Sequence, residues 1–174
     1  MIFDSSTMEG LIIDPVKEQF DRILQFIEEL GDELKYVINT HAHADHVIFS
    51  CMLRDATGAK SAFGETSAVQ CADILLCDGD ELEFGRFKLI AISTPGRTDA
   101  CKSFYTEGRL FTGDSLLIRG CGRTDFQQGD PEKLFNSITQ KLNAYPDTTL
   151  VYPGHDYLGR TASCIREEKS FNPK

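Results

Sequence analysis

No run of apolar residues approaches the roughly 18 to 20 that a membrane-spanning helix requires, so no insertion into a bilayer is expected. Positive charge is also short: 18 basic against 27 acidic residues leave a formal charge of -9. A nucleic-acid backbone is gripped by clustered Lys and Arg, so nucleic acid is not an expected partner. Six cysteines occur, but never in the Cys-x-x-Cys spacing of zinc or redox motifs and never as a dense secreted framework. Most read as reduced, half-buried thiols. The start, Met1-Ile2-Phe3-Asp4-Ser5-Ser6, lacks both a basic segment followed by an apolar one and an Arg-rich transit pattern, which makes the cytoplasm the expected compartment. No repeat, low-complexity tract or linker divides the sequence. Its 174 residues fit one domain, 1–174, whose core needs no metal or disulfide.

Histidine is scarce, and that makes its placement informative. Of four histidines, three lie in His41-Ala42-His43-Ala44-Asp45-His46, directly after the strand-like Tyr36-Val37-Ile38-Asn39. The fourth, His155, sits in Pro153-Gly154-His155-Asp156, after the strand-like Leu150-Val151-Tyr152. Neutral imidazole and carboxylate are donors for borderline metals, and a catalytic site needs about three or four of them with a position left open. Cys121 stands between two glycines, where the backbone can bring a small side chain close to a ligand.

Periodicity supplies the frame. Leu11-Ile12-Ile13 reads as a short buried strand ending at Asp14-Pro15. Phe20, Ile23, Leu24, Ile27 and Leu30 recur at helical spacing ahead of a C-capping Gly31. A helix from about Val47 to Ala56 is closed by Gly58. Strands are expected at 81–84, 87–92, 103–105 and 110–112, a helix from Pro131 to about Ala144, and a last helix over Thr161 to Lys169. This order predicts an α/β protein, layered sheets with helices outside, with ligand candidates at strand ends.

Four strand-end segments, His41 to His46, Thr94-Pro95-Gly96-Arg97-Thr98, Thr112-Gly113-Asp114 and Pro153 to Asp156, together resemble the metallo-β-lactamase fold, an αββα sandwich. The stretch from Thr112 through Arg119-Gly120-Cys121-Gly122-Arg123-Thr124-Asp125-Phe126-Gln127-Gln128-Gly129 is similar to the hallmark of the persulfide dioxygenases within that superfamily. Gly154-His155-Asp156-Tyr157, Gly159-Arg160-Thr161 and Phe171-Asn172-Pro173 are similar to the same branch.

That resemblance implies one Fe(II) per chain, acting on glutathione persulfide and O2 to give sulfite and glutathione. The implied ligands are His41, Asp114 and the histidine of a Thr-Pro-Gly-His-Thr turn. His43, Asp45, His46 and His155 would surround them with hydrogen bonds, or, as in the glyoxalase II relatives, build a second position suited to zinc or manganese. Arg119, Cys121, Arg123, Asp125 and Tyr157 are the implied contacts for glutathione, since guanidinium forks match its carboxylates. For these a loop salt bridge is an equal reading.

The sequence departs from that pattern at the third ligand, because the turn carries Arg97. Arginine has no acceptor and keeps its charge, so it cannot ligate a cation. Three consequences stay open: an Arg97–Asp114 ion pair replacing the metal in a non-catalytic binding module, a shifted metal on Asp45, His46, Asp114 and His155 serving a glyoxalase II-like thioester hydrolase, or a weakened dioxygenase that recruits His43. Only about ten residues precede the Ile13-Asp14-Pro15 turn, where the family opens with a strand hairpin, so the first sheet is expected to lack an edge and to favour dimerisation of the chain.

Overall fold

Along the first strands of the structure, side chains alternate between two different cores. This computed structural model describes residues 1–31, 33–41, 44–125 and 128–173, without the side chains of residues 44 to 46. Strand β1 (Ile2–Asp4) and strand β2 (Glu9–Ile13) form an antiparallel hairpin. Helix α1 (Phe20–Leu30), capped by a left-handed Gly31, leads to β3 (Glu33–Ile38). Helix α2 (Ala44–Thr57), β4 (Lys60–Gly64) and β5 (Ile74–Leu76) complete a five-stranded sheet in the order β1-β2-β3-β4-β5, parallel from β2 onward.

The second sheet begins with the antiparallel run β6 (Glu81–Phe84), β7 (Phe87–Ser93), β8 (Lys102–Thr106) and β9 (Arg109–Gly113). A small ribbon, β10 (Leu116–Leu117) with β11 (Gly120–Cys121), follows. Helix α3 (Pro131–Asn136) continues through a π turn and a 3-10 turn to Ala144. Strand β12 (Leu150–Pro153) then pairs parallel to β9, β13 (Ser163–Cys164) pairs with β12, and α4 (Ile165–Phe171) closes the fold.

Three apolar clusters define the layers. Leu11, Ile38, Ala62 and Leu76 of the first sheet meet Leu82, Phe84, Leu89, Ala91 and Phe104 of the second, forming the central core. Ile12 and Val37, one residue out of phase with Leu11 and Ile38, face outward to Leu53 and the stripe Phe20, Ile23, Leu24 and Ile27, and Leu34 joins them because the β2–β3 register shifts between it and Tyr36. Leu110, Val151 and Ile92 pack under Leu142 and Ile165 on the far side. The period-2 alternation of β2 and β3 thus serves two cores at once, which is what an αββα sandwich requires.

Several expectations need correction. The first sheet has its edge strand: β1 is only three residues long, but Asp4, with 0% exposure, accepts from Arg86 Nε at 2.9 Å and from Arg86 Nη2 at 2.9 Å, tying the hairpin to the β6–β7 turn. The expected 161–169 helix begins later, because Ser163 and Cys164 add a strand to the sheet first. Two cysteines fall outside the expectation that most are thiols: Cys51 and Cys71 form a disulfide, with Cα atoms 6.0 Å apart. Cys77, Cys101, Cys121 and Cys164 are free.

Candidate active site

Strands β7, β9 and β12 run in one direction, and their C-terminal ends meet the end of β3 at one rim of the sandwich. The turns that leave these four strands carry His41, Arg97, Asp114 and His155. Backbone bonds stitch them together: Lys102 N–H donates to Thr40 O at 2.8 Å across the two sheets, and Gly154 N–H donates to Gly113 O at 2.7 Å. A belt of buried hydroxyls lies beneath, with Ser115 Oγ 3.0 Å from Thr94 Oγ1 and Thr94 Oγ1 3.1 Å from Ser103 Oγ.

Two glycines are required by close approach. Gly113 has φ +52°, and a Cβ there would run into the side chain of Thr40. Gly96 has φ +136°, and its Cβ would collide with the backbone of Leu134 at the start of α3. The turn holding Arg97 is therefore pressed directly against that helix. Asp130 N–H donates to Gly96 O at 2.7 Å, and Ser137 Oγ donates to Pro95 O at 2.8 Å.

Asp114 is the hub. Its Oδ1 lies 2.5 Å from His155 Nδ1, its Oδ2 lies 3.0 Å from Arg97 Nη2, and the same Oδ2 is 4.0 Å from His41 Nε2. Burial raises its carboxyl's pKa, but the hydrogen bond from His155 and the charge of Arg97 outweigh burial and hold it below the ordinary value. Asp114 is thus a carboxylate at neutral pH.

His41, 4% exposed, is oriented by residues that sequence reasoning did not single out. Asp14 accepts from Thr40 N–H at 2.8 Å and from Thr40 Oγ1 at 2.7 Å. A hydroxyl has one proton, and Asp14 takes it, so the 2.9 Å contact between Thr40 Oγ1 and His41 Nδ1 is donated by the ring. In the neutral ring that tautomer places the lone pair on Nε2, the nitrogen turned toward Asp114. A polar residue at the end of one strand, facing the turn after its parallel neighbour, was the available signal for Asp14.

The remaining implied residues fall in different surroundings. Arg119 Nη2 bonds Glu167 at 2.7 Å, and its guanidinium stacks 5.1 Å from the Phe171 ring. Arg123 and Asp125 pair with each other at 2.9 Å on the surface. Tyr157 is 83% exposed, its ring stacked on His155 with centroids 6.4 Å apart. Cys121 lines an apolar cavity of about 200 Å³ with Gly122, Leu116 and Leu134, and burial pushes its thiol pKa up. His43 lies outside the described residues, and so do the side chains of Asp45 and His46.

The sequence pattern of the metallo-beta-lactamase superfamily matches residues 5–66 and 72–155. The persulfide dioxygenase ETHE1, mitochondrial, of Bos taurus is 45% identical over 177 residues, spanning 100% of this chain and 69% of that protein. The chain belongs to the persulfide dioxygenase family of the metallo-beta-lactamase superfamily. The crystal structure of ETHE1 from Myxococcus xanthus superposes on this persulfide dioxygenase homologue with a TM-score of 0.94 at 47% identity, covering 99% of this chain and 76% of that one. A hydroxyacylglutathione hydrolase of Pelagibacter ubique is 31% identical over 174 residues, 97% of this chain and 71% of that protein.

An Fe(II) at the position implied by family resemblance does not fit the site as this family member forms it. Two of the donors are in place, His41 Nε2 and Asp114 Oδ2, but the oxygen that would face the ion is bonded to the Arg97 guanidinium, and the other is bonded to His155. Among the described residues, no three His, Cys, Asp or Glu side chains are grouped to hold a metal ion. The cation at this carboxylate is arginine.

Proposed function

We propose that this chain is a persulfide dioxygenase-like protein for glutathione persulfide and O2, with sulfite and glutathione as products, and that Arg97 holds its Fe(II) position closed. The family membership supports the substrate class. The 3.0 Å Arg97–Asp114 ion pair carries the second half of the reading, because a buried carboxylate neutralised by a fixed guanidinium has lost most of its attraction for a divalent ion. Turnover by the unmodified chain is accordingly far below that of a variant with histidine at 97.

The test is oxygen uptake with glutathione persulfide after anaerobic Fe(II) loading, comparing the chain with Arg97→His. Uptake restored in the variant supports the reading. Equal, rapid uptake by both proteins overturns the closure by Arg97, and no uptake by either overturns the dioxygenase assignment. Hydrolysis of a glutathione thioester by the unmodified chain would replace it with the hydrolase alternative.

A further inference from the structure

The Cys51–Cys71 bridge lies apart from the rim chemistry just described, and three features of its surroundings make it more than a packing detail. The first is that its two ends are held in register without the covalent bond. Arg54, on the same helix as Cys51, donates from Nη1 to Cys71 O at 2.9 Å and lies 3.7 Å from Asp73. Ser61 Oγ also donates to Cys71 O, and Asp73 Oδ2 accepts from Ser61 N–H at 2.8 Å. The segment carrying Cys71 is thus anchored to both α2 and β4, so opened thiols stay face to face.

The second feature is that both redox states are chemically accommodated. The carbonyl of Val47, one helical turn back, lies 3.0 Å from Cys51 Sγ and can accept from its thiol when the bridge is open. Both cysteines are partly exposed, which gives small thiols access. The third is selectivity. A carboxylate of Glu65 contacts Cys77 Sγ at 3.0 Å and raises its pKa, and burial does the same for Cys101 and Cys121, so these free thiols make poor thiolates.

We infer that Cys51 and Cys71 form a reversible dithiol–disulfide centre that exchanges with glutathione-class thiols and disulfides and sets how firmly α2 is held to the segment before β5. The closing step balances on its own reactants. One protein thiolate attacks the S–S bond of glutathione disulfide and releases one glutathione, and the second protein thiolate then displaces the other. The pair loses two electrons, one small disulfide becomes two thiols, and the two protons leave with them. Because α2 begins at Ala44, within the His41–His46 motif, the state of the bridge is felt at the helix that leaves the candidate site.

Equilibrating the full chain in glutathione and glutathione disulfide buffers, alkylating, and mapping peptides without reduction tests this directly. The expected result is one bridged peptide pair, 51 with 71, that opens in excess glutathione and closes again in excess disulfide. Amides of residues 48 to 57 should exchange about tenfold more slowly in the bridged state. The Cys51→Ser and Cys71→Ser chains should each match the opened protein. A pair that stays as two thiols in excess disulfide, a bridge to another cysteine, or equal exchange in both states would overturn the inference. None of these readouts depends on oxygen uptake, so they stand or fall apart from the closure by Arg97.

Discussion

Replacing Arg97 by histidine should raise Fe(II) affinity steeply, and the structure bounds the size of the effect. Arg97 Nη2 lies 3.0 Å from the Asp114 oxygen that would face an ion bound between Asp114 and His41. Such an ion would sit about 5 Å from the guanidinium centre. At that separation a divalent charge and a unit charge repel by about 6 to 7 kcal/mol at an effective dielectric near 20, and by about 1.5 to 2 kcal/mol in water. The side chain is only 18% exposed and is held by its ion pair with Asp114, an environment between dry interior and open water, so the true penalty lies between these limits. Removing the charge alone, as in Arg97→Gln, should therefore tighten iron binding by about tenfold or more. Arg97→His adds a donor as well, and should exceed the glutamine variant by at least a further tenfold or so. Anaerobic competition against a chromogenic chelator, with bound iron counted on the same samples, measures both steps. Affinities for all three proteins agreeing within about threefold, less than the smallest repulsion above, would refute the reasoning.

Four other perturbations follow from the geometry. Gly113→Ala places a Cβ against Thr40 at φ +52° and should cost about 1 to 3 kcal/mol in urea unfolding; an unchanged midpoint would mean that β9 and the His41 turn do not press together. Thr40→Val keeps the shape but removes the hydroxyl between Asp14 and His41, with a loss of about 1 to 3 kcal/mol and a ring nitrogen spectrum in which His41 no longer holds a single Nδ1–H tautomer; an unshifted spectrum would contradict the assigned direction of that bond. Cys51→Ser opens a loop with a sequence separation of 20 and should remove about 3 kcal/mol, read as a melting point lower by about 6 to 12 °C than that of the bridged chain. A melting point that does not move would show the bridge to be thermodynamically idle. The Asp4 carboxyl is held far below its ordinary pKa, first by the hydrogen bond from Arg86. A depressed acid contributes its stability above its unfolded pKa and loses it as pH falls toward the folded value. The gap in urea midpoint between the chain and Asp4→Asn should therefore be full at neutral pH and narrow below about pH 4; a gap independent of pH would deny Asp4 that role.

Helix α1 and strand β6 were legible in the sequence because each has one clear partner face, which a period of 3.6 or 2 reports directly, and β7 to β9 because they are apolar, β-prone runs between glycine-containing turns. Strands β4 and β5 were not. β4 is Lys60-Ser61-Ala62-Phe63-Gly64, buried from Ser61 onward inside a parallel sheet with no apolar alternation to mark it, and β5 is three residues long. Strand β1 escaped for a different reason: what fixes it is the pairing of Asp4 with Arg86, 82 residues away. The site divides in the same way. His41, Asp114 and His155 announce themselves by chemistry-bearing side chains at strand ends, whereas Asp14 and Thr40 are ordinary polar residues whose role exists only once β2 lies beside β3. The contact between Arg97 and Asp114 becomes visible only once the ends of β7 and β9 lie side by side. The disulfide left no spacing motif, because its partners come from a helix and from the irregular segment before β5.

The main chain of the turn at 94 to 98 owes its shape to Gly96 lying on Leu134, to the Asp130 amide and to the Ser137 hydroxyl, and none of these anchors involves the side chain at 97. Position 97 is in effect an interchangeable fitting on a rigid mount. Exchanging what it carries alters the electrostatics of the rim while leaving these main-chain anchors in place. On the proposed closure by Arg97, a lineage with this architecture gains or loses its reactive centre through a single residue, without first having to rebuild the main chain around it.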